Sequence, residues 1–335
     1  MRKKLVQATF LLLLIVGTIV IIRQQQALPY RKAEGKIFGT YYHITYQADH
    51  ALDRQISEVL QRVDASLSTF NSQSVISKIN RNEAVKPNEM FLRVFELGQQ
   101  IARETDGAFD MTVAPLVNAW GFGFRSDTKP TTAAIDSIRQ FVGYNKVRLH
   151  LGRIEKQDPR LMLDCSAIAK GYGVDCVAAL LRQEGVKNFM VEIGGEVITS
   201  GINPERLPWR IGVVKPTDDS LQVNQELQTV LNVTNRAMAT SGNYRNFYYR
   251  DGRKYAHTID PQTGKPVAHS LLSATVLANN CATADAYATA FMVMGIEKAK
   301  ALLKQHPELM VYFIYSDEQG NNTIYHSDNL ELPAE

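Results

Sequence analysis

The chain has 335 residues, of which 45% are hydrophobic and 21% are charged, and its formal net charge is +3. This composition is typical of a globular protein with enough apolar material for a core, in one large or two modest domains. The weak net charge and the scattered basic residues argue against nucleic-acid binding. The three cysteines, Cys165, Cys176 and Cys281, lack C-x-x-C spacing and indicate neither a zinc site nor a disulfide framework.

The N-terminal segment has a pattern typical of membrane targeting. A basic start over residues 1–4 precedes an uncharged run over residues 5–22. As a helix this run would span about 27 Å, close to the hydrocarbon thickness of a bilayer. It predicts a retained transmembrane anchor or a cleaved signal segment, and the poor cleavage site at Ile21-Ile22-Arg23 favours the anchor.

These features predict the domain layout. We expect a cytoplasmic start over residues 1–4, the anchor or signal segment over 5–22, a polar linker over 23–34 and one globular domain over 35–330. The positive charges at the start favour a cytoplasmic N-terminus, which would place the globular domain outside the cytoplasm.

Hydrophobic periodicity and turn residues predict the elements of the globular part in chain order. Strands are expected at residues 36–46, 147–151, 161–164, 189–193, 210–214, 227–233, 245–249, 272–277 and 310–315. Helices are expected at residues 56–67, 88–107, 135–141, 166–182 (capped by Ser166) and 283–304, the last with a break at Gly295. Residues 204–228 are polar and predict a surface insertion. Strands and helices mix without strict alternation, which predicts an α+β fold class.

The last long helix carries a pair of hard oxygen ligands. Asp285 and Thr289 are four residues apart, so a carboxylate and a hydroxyl lie on one helical face. Both groups suit Mg²⁺ or Ca²⁺. Spacing alone favours a simpler interpretation, in which Thr289 bonds the backbone four residues back and Asp285 lies in a first turn, where the helix dipole favours it.

The segment His257–Gly264 contains an Asp-Pro-x-x-Gly turn. Two interpretations remain open from the residues alone. Asp260 bonds its own backbone in a hairpin loop, or a rigid turn presents His257 and Asp260 together for proton transfer.

Further segments carry weaker signals. Asp164–Gly171 leads into a helix N-terminus, where backbone N–H groups and Lys170 would favour a phosphate, although a capped helix with a solvated lysine is the simpler interpretation. Gly194-Gly195 and Thr240-Ser241-Gly242 permit a close approach of backbone to a ligand. The loop Trp120-Gly121-Phe122-Gly123 suits either a cover over a planar ring or a lid on the core.

Several segments occur in one order over residues 35–325 and share a common likeness. They are Phe38-Gly39-Thr40, Leu67–Phe70 with Ser77 and Asn80, Gly107–Val113, Pro115–Gly123, Asp164–Tyr172, Gly194-Gly195-Glu196, Ser241–Asn246, His257–Pro266 and Ala284–Ala290. In these segments the chain resembles the ApbE family, the FAD:protein FMN transferases. Two positions depart from the family pattern: Phe38 stands where Met is common, and Cys165 replaces a bulky apolar residue.

The resemblance implies one α+β domain with a T-fold-like core and FAD bound in a cleft. It implies Mg²⁺-dependent transfer of FMN from FAD, through a phosphoester, to a Thr or Ser hydroxyl of an acceptor protein, with release of AMP. The acceptors carry a Ser/Thr-Gly-Ala-Thr-like motif, often on subunits of membrane redox complexes. The expected location is the bacterial inner membrane, with the catalytic domain on the periplasmic side.

The resemblance also implies roles for individual residues. His257 takes the proton of the acceptor hydroxyl and Asp260 orients or tunes it, with the order of the two left open. The metal ligands are the side chains of Asp285 and Thr289 and the backbone carbonyl of Ala167. The flavin-binding residues, among which Phe70 is expected to stack on a ring, are Phe38, Phe70, Ala108, Phe109, Asp110, Asp164, Lys170 and Ile259.

The residues leave three alternatives. A Mg²⁺-dependent FAD pyrophosphatase would use water in place of the protein hydroxyl. A non-enzymatic flavin-binding protein would not need His257, Asp260, Asp285 and Thr289 together, so their presence argues against it. A membrane protein with an inert outer domain is the third alternative and explains none of the motifs.

Overall fold

The computed structural model describes residues 7, 9–18, 28–123, 130–216, 226–243 and 257–332, and the backbone of 247–250 and 253–256. Residues 9–18 are helical (α1). Among the described residues, no helix combines the length and the apolar character needed to cross a membrane. The anchor predicted over residues 5–22 lies partly outside the described residues, as does the strand predicted at 245–249.

The strands follow in chain order. They are β1 (Tyr30–Ile37), β2 (Thr40–Gln47), β3 (Val147–His150), β4 (Arg153–Lys156), β5 (Phe189–Ile193), β6 (Glu196–Ser200), β7 (Arg210–Val214), β8 (Leu227–Asn232), β9 (Ala237–Gly242), β10 (Phe247–Arg250), β11 (Arg253–Ala256), β12 (Ile259–Asp260), β13 (Lys265–Pro266), β14 (Leu271–Ala278), β15 (Met310–Ser316) and β16 (Asn322–His326). Eight of them form one antiparallel sheet in the order β1-β2-β5-β6-β9-β14-β15-β16, and the others pair as hairpins.

The remaining helices alternate irregularly with these strands. They are α2 (Asp53–Leu67), α3 (Val75–Asn80), α4 (Glu89–Glu104), α5 (Ala114–Ala119), α6 (Thr132–Arg139), α7 (Ala169–Gln183), α8 (Cys281–Met294) and α9 (Ile296–Leu303). Their ends follow the sequence signals. The side chain of Asn88 accepts a hydrogen bond from the Phe91 N–H at the start of α4, and Gly295, at φ 74°, separates α8 from α9. The α+β class is confirmed.

Three local predictions were wrong. The single strand expected at residues 36–46 is the β1–β2 hairpin, because Phe38 and Gly39 adopt φ of 52° and 72° and reverse the chain. Residues 161–164 form no strand, because the Asn80 side chain bonds both the N–H and the carbonyl of Leu163 in place of a neighbouring strand. Ser166 does not cap α7, since its hydroxyl donates to Asp164 at 2.6 Å.

Two predicted boundaries also change. Strand β1 begins at Tyr30, inside the linker predicted over residues 23–34, because it pairs with β2 along its whole length. The expected surface insertion over residues 204–228 contributes to the core in its described part. Trp209 and Val213 are buried there, and the Trp209 indole N–H donates to the Ser200 carbonyl at 3.1 Å.

Helices α7 and α8 pack against each other and against the sheet, and they carry the polar residues of the site. Helix α8 is buried on nearly all sides, with alanines at 284, 286, 288 and 290. Small side chains permit a close approach of α7. At Gly171 a Cβ would lie only 2.4 Å from the Cys281 carbonyl oxygen. Asp285, in the centre of α8, is only 3% exposed as a result.

Replacing Gly171 with Ala is expected to destabilise the fold by about 1–3 kcal/mol, although Ala favours a helix by about 1 kcal/mol. The added Cβ meets backbone atoms of Cys281 and Ala282, which cannot rotate away. Chemical denaturation measures the loss. Ala179→Ser, on the exposed side of α7, is the control and should change stability by less than about 0.5 kcal/mol. Equal stability of Gly171→Ala and wild type would contradict the close approach.

Candidate active site

A cavity of about 450 Å³ brings together residues from distant motifs. Every predicted site residue except Phe38 and Asp260 lines it: Phe70, Ala108, Phe109, Asp110, Asp164, Ala167, Lys170, His257, Ile259, Asp285 and Thr289. The predicted loops at Gly194, Thr240-Ser241-Gly242 and Phe122-Gly123 also contribute to the wall. The sequence motifs therefore converge on one site.

Three charged side chains form a cluster in this cavity, in which Glu196 and Asp285 are buried and Lys170 is half-buried. Lys170, in the first turn of α7, makes an ion pair with Glu196 at the start of β6. Asp285 accepts a hydrogen bond from the Gly171 N–H at 3.1 Å. An N–H in the first turn of a helix has no intrahelical acceptor, so Asp285 satisfies it across the α7–α8 interface.

Burial and charge act against each other in this cluster. Burial raises the pKa of Glu196 and of Asp285, and the neighbouring Lys170 ammonium opposes both rises. Burial disfavours the charged form of Lys170, but Glu196 and Asp285 outweigh this effect and raise the pKa of Lys170. Three coupled charges at a cavity wall are typical of a binding or catalytic site.

The donor set around Asp285 suits a hard divalent cation. Thr289 lies one helical turn further along α8, and its hydroxyl lies 3.2 Å from that of Ser241. Ala167 lines the cavity just before α7. Within the described part of the chain, no three His, Cys, Asp or Glu side chains form a metal-binding group. Mg²⁺ commonly takes one or two carboxylates, with water and substrate phosphates completing its shell. The residues present therefore fit Mg²⁺.

His257 lies at the cavity wall, and Asp260 does not. The His257 ring meets Phe122 edge-on, with ring centroids 6.5 Å apart. Next to it, the Thr258 hydroxyl donates to the Asn243 side chain at 2.7 Å. The Asp260 carboxylate accepts from the Gln262 N–H at 2.8 Å and from the Thr263 hydroxyl at 2.9 Å. Of the two sequence interpretations, the structure shows the one in which Asp260 shapes its own turn.

Two predicted flavin-binding aromatic residues differ in position. Phe38 lies in the β1–β2 turn, and its ring packs against Gly173 of α7, where a Cβ would come within 2.7 Å of it. It does not line the cavity. Phe70 is 82% exposed at the cavity rim. An exposed aromatic ring beside an open cavity offers a stacking surface for a planar ring system.

The carboxylates of Asp110 and Asp164 are partly engaged by nearby protein groups. Asp110 accepts from the N–H and hydroxyl of Thr112, both at 2.7 Å, and from the Tyr144 N–H at 2.8 Å. Asp164 accepts from the N–H and hydroxyl of Ser166 with one of its oxygens. Asp110 therefore holds the cavity wall together, whereas the second oxygen of Asp164 remains a candidate acceptor for a ligand.

Asp110 makes the stability of the fold depend on pH. Burial raises its pKa to about 6, and the donors of Thr112 and Tyr144 offset this only partly. A raised pKa means that the folded state binds the proton more tightly. The tighter proton binding stabilises the fold fully below about pH 4, where Asp110 is protonated in the unfolded chain as well. This stabilisation is lost as the pH rises through about 6, the pKa in the folded state.

The stability of wild type relative to Asp110→Asn should therefore fall by about 1 kcal/mol between pH 5 and pH 7. Chemical denaturation across that range measures it. Asp317→Asn is the control. The pKa of Asp317 is lowered by its hydrogen bonds to Asn321, so both states are ionised above pH 5 and its effect should be constant. A difference for Asp110→Asn that does not change with pH would contradict the assignment.

Sequence reasoning assigned no role to two site residues. Glu196 stands in the Gly194-Gly195-Glu196 segment, but its ion pair with Lys170 joins positions 26 residues apart, which periodicity cannot reveal. Ser241 appeared only as part of a glycine loop. The signal in both cases was a polar residue directly beside a flexible turn.

Comparison with known proteins identifies the class to which this fold and site belong. The family model of the ApbE family matches residues 38–313. A Vibrio cholerae protein named FAD:protein FMN transferase is 38% identical over 290 residues, covering 83% of this chain and 86% of that protein. The Escherichia coli (strain K12) protein of the same name is 36% identical over 304 residues, covering 87% and 85%.

Solved structures agree with these relatives. The flavin transferase ApbE from Vibrio cholerae matches with a TM-score of 0.80 at 35% identity, covering 90% of this chain and 98% of that one. The apo flavinyl transferase ApbE from Pseudomonas stutzeri matches with a TM-score of 0.80 at 32% identity, covering 91% and 96%. This chain belongs to the ApbE family, which confirms the resemblance read from its motifs.

Proposed function

We propose that this chain transfers FMN from FAD to a Thr or Ser hydroxyl of an acceptor protein and releases AMP. The observation that carries the proposal is the convergence of His257, Lys170 and the Asp285–Thr289 pair on one cavity. The relatives named as FAD:protein FMN transferases support it. The acceptor oxygen forms a bond to the FMN phosphorus as the pyrophosphate P–O bond breaks, and AMP carries away the electron pair.

The Asp285 carboxylate, the Thr289 hydroxyl and the Ala167 carbonyl are the proposed ligands of Mg²⁺. When bound there, the cation would neutralise charge on the pyrophosphate oxygens of FAD. Lys170 is proposed to bind the phosphates of FAD as well, because its positively charged ammonium lies at the cavity end of α7.

His257 is the proposed base that takes the proton from the acceptor hydroxyl. It lines the cavity, and an imidazole can accept a proton near neutral pH. Asp260 is proposed to act indirectly. Its bonds to Gln262 and Thr263 hold the turn that carries His257, so its contribution should be smaller.

The remaining cavity residues are proposed to bind the flavin nucleotide. Phe70 offers a ring for stacking at the rim, and Asp164 offers a carboxylate oxygen for adenine or ribose groups. Ala108, Phe109 and Ile259 supply apolar wall. Asp110 supports this wall from a place within it, and Phe38 supports it from behind, on a T-fold-like core.

We also propose that the domain works on the periplasmic side of a bacterial inner membrane, with residues 5–22 as anchor or signal segment. The uncharged run behind a basic start supports this. The acceptors would then be subunits of membrane redox complexes that carry a Ser/Thr-Gly-Ala-Thr-like motif. Protease added outside intact spheroplasts should digest the domain; full protection would contradict this location.

Incubation with FAD and Mg²⁺, with and without an acceptor domain, distinguishes transfer from hydrolysis. Transfer predicts that FAD is consumed only when the acceptor is present. Rapid release of free FMN without the acceptor would indicate the pyrophosphatase alternative, and binding of FAD without turnover in either case would indicate a flavin carrier.

A further inference from the structure

Glu196 is a buried carboxylate at the cavity to which the proposed reaction gives no role. It is 3% exposed and stands at the start of β6, after the Gly194-Gly195 turn. Its Oε1 makes the ion pair with Lys170. Its Oε2 is buried and finds no hydrogen-bond partner among the described residues. A carboxylate in this state costs free energy, which a structural role alone does not explain.

The Lys170 ammonium has two carboxylates in its surroundings. It contacts Glu196 directly, and it interacts electrostatically with Asp285. An ammonium has three donors on a flexible stem, so it reorients towards the strongest remaining acceptor. Without the charge of Glu196, Asp285 is the remaining carboxylate with which Lys170 interacts electrostatically.

We propose that Glu196 is a positioning residue that holds the Lys170 ammonium off Asp285, so that the Asp285 carboxylate stays open to a divalent cation. This inference rests on the proposed function, because it takes Asp285 as the cation ligand. An ammonium bound to Asp285 would occupy the oxygen that the cation needs. The ion pair therefore controls competition between two cations for one carboxylate.

Loss of negative charge alone would also weaken cation binding when Glu196 is replaced, and variants of this chain distinguish that explanation from competition by Lys170. Lys170, Glu196 and Asp285 together have a formal charge of −1, since one cationic group offsets one of the two carboxylates. Glu196→Asp keeps the negative charge but draws it back from Lys170, so net charge alone predicts unchanged binding where the competition predicts weaker binding. Competition by the ammonium exists only while Lys170 is present.

The test is Mn²⁺ binding to the full-length protein without FAD, measured from the electron paramagnetic resonance signal of free Mn²⁺. Glu196→Gln should weaken Mn²⁺ binding roughly tenfold or more, the range expected for directly coupled neighbours. In a Lys170→Met background the same substitution should have an effect of less than about threefold. Equal fold-changes in both backgrounds, or no change in either, would overturn the proposal.

A matched control and a second variant complete the test. Glu34→Gln, exposed on strand β1 and outside the cavity lining, should leave Mn²⁺ affinity unchanged. If Glu196→Gln shows no cooperative unfolding in a thermal melt, Glu196→Asp keeps the charge but draws it back from Lys170, and it should also weaken Mn²⁺ binding.

Wild-type protein that binds no Mn²⁺ would also overturn the inference. Wild-type protein that binds Mn²⁺ but transfers no FMN would contradict the proposed function alone.

Discussion

Replacing Asp285 with Asn is expected to lower the rate of FMN transfer by about 10³-fold, because the proposed metal site would lose its carboxylate and with it several kcal/mol of charge stabilisation. The amide keeps the volume of the side chain and can still accept from the Gly171 N–H. The fold should therefore survive. The rate of transfer to an acceptor domain, measured against Mg²⁺ concentration, is the readout.

Two further variants show whether the loss comes from metal binding or from a damaged helix. Thr289→Val removes the hydroxyl at nearly constant shape and should raise the Mg²⁺ concentration needed for half-maximal rate. Asp175→Asn is the structural control. Asp175 accepts from the N–H groups of Cys281 and Ala282 at the start of α8, so its loss should lower stability without changing the Mg²⁺ dependence. Near-normal transfer by Asp285→Asn would show that Asp285 is not a metal ligand.

Replacing His257 with Ala is expected to lower the transfer rate by about 10²–10⁴-fold, the usual contribution of a general base. Binding of FAD should change little, because the wall that contacts the nucleotide stays in place. Fluorescence quenching of FAD measures binding, and acceptor labelling measures transfer. Asp260→Asn should cost less than His257→Ala, since its carboxylate shapes the turn and does not reach the cavity.

His43→Ala provides the matched control for the loss of an imidazole. His43 pairs with Glu192 at 2.8 Å on the exposed side of β2, and its loss should leave transfer unchanged. If His257→Ala transferred FMN at the wild-type rate, a different group would have to take the proton of the acceptor hydroxyl. A rate loss matched by an equal loss of FAD affinity would point instead to a binding role.

The sequence predicted strands and helices well wherever local signals decide them. Strand β5 and strand β7 match their predicted bounds, and Gly295 breaks the last helix as expected. The failures occur where a distant residue decides. Asn80 satisfies the backbone of Leu163 from 83 positions away, so a segment that looks like a strand needs no strand partner. Local periodicity carries no information on such a contact.

In the site, too, local sequence shows some features, and others depend on residues far apart in the chain. The pair Asp285 and Thr289 is visible in sequence, but spacing alone favoured a structural interpretation, and only the family motifs pointed to a metal site. The structure adds what neither source supplies. Packing of α8 among small residues buries Asp285, and the ion pair of Lys170 with Glu196 depends on a sheet that brings β6 next to α7. For Asp260 the structure shows that the carboxylate shapes its own turn, which was one of the two interpretations left open by the residues.

The central claim is that FMN leaves FAD for a protein hydroxyl in this cavity. The most direct test is the intact mass of an acceptor domain after incubation with the wild-type protein, FAD and Mg²⁺, with AMP measured in the same reaction. We predict an added mass equal to one phosphoester-linked FMN, on a Thr or Ser of the acceptor domain, with one AMP released per acceptor modified. An acceptor of unchanged mass, with FMN and AMP accumulating free in solution, would contradict the account.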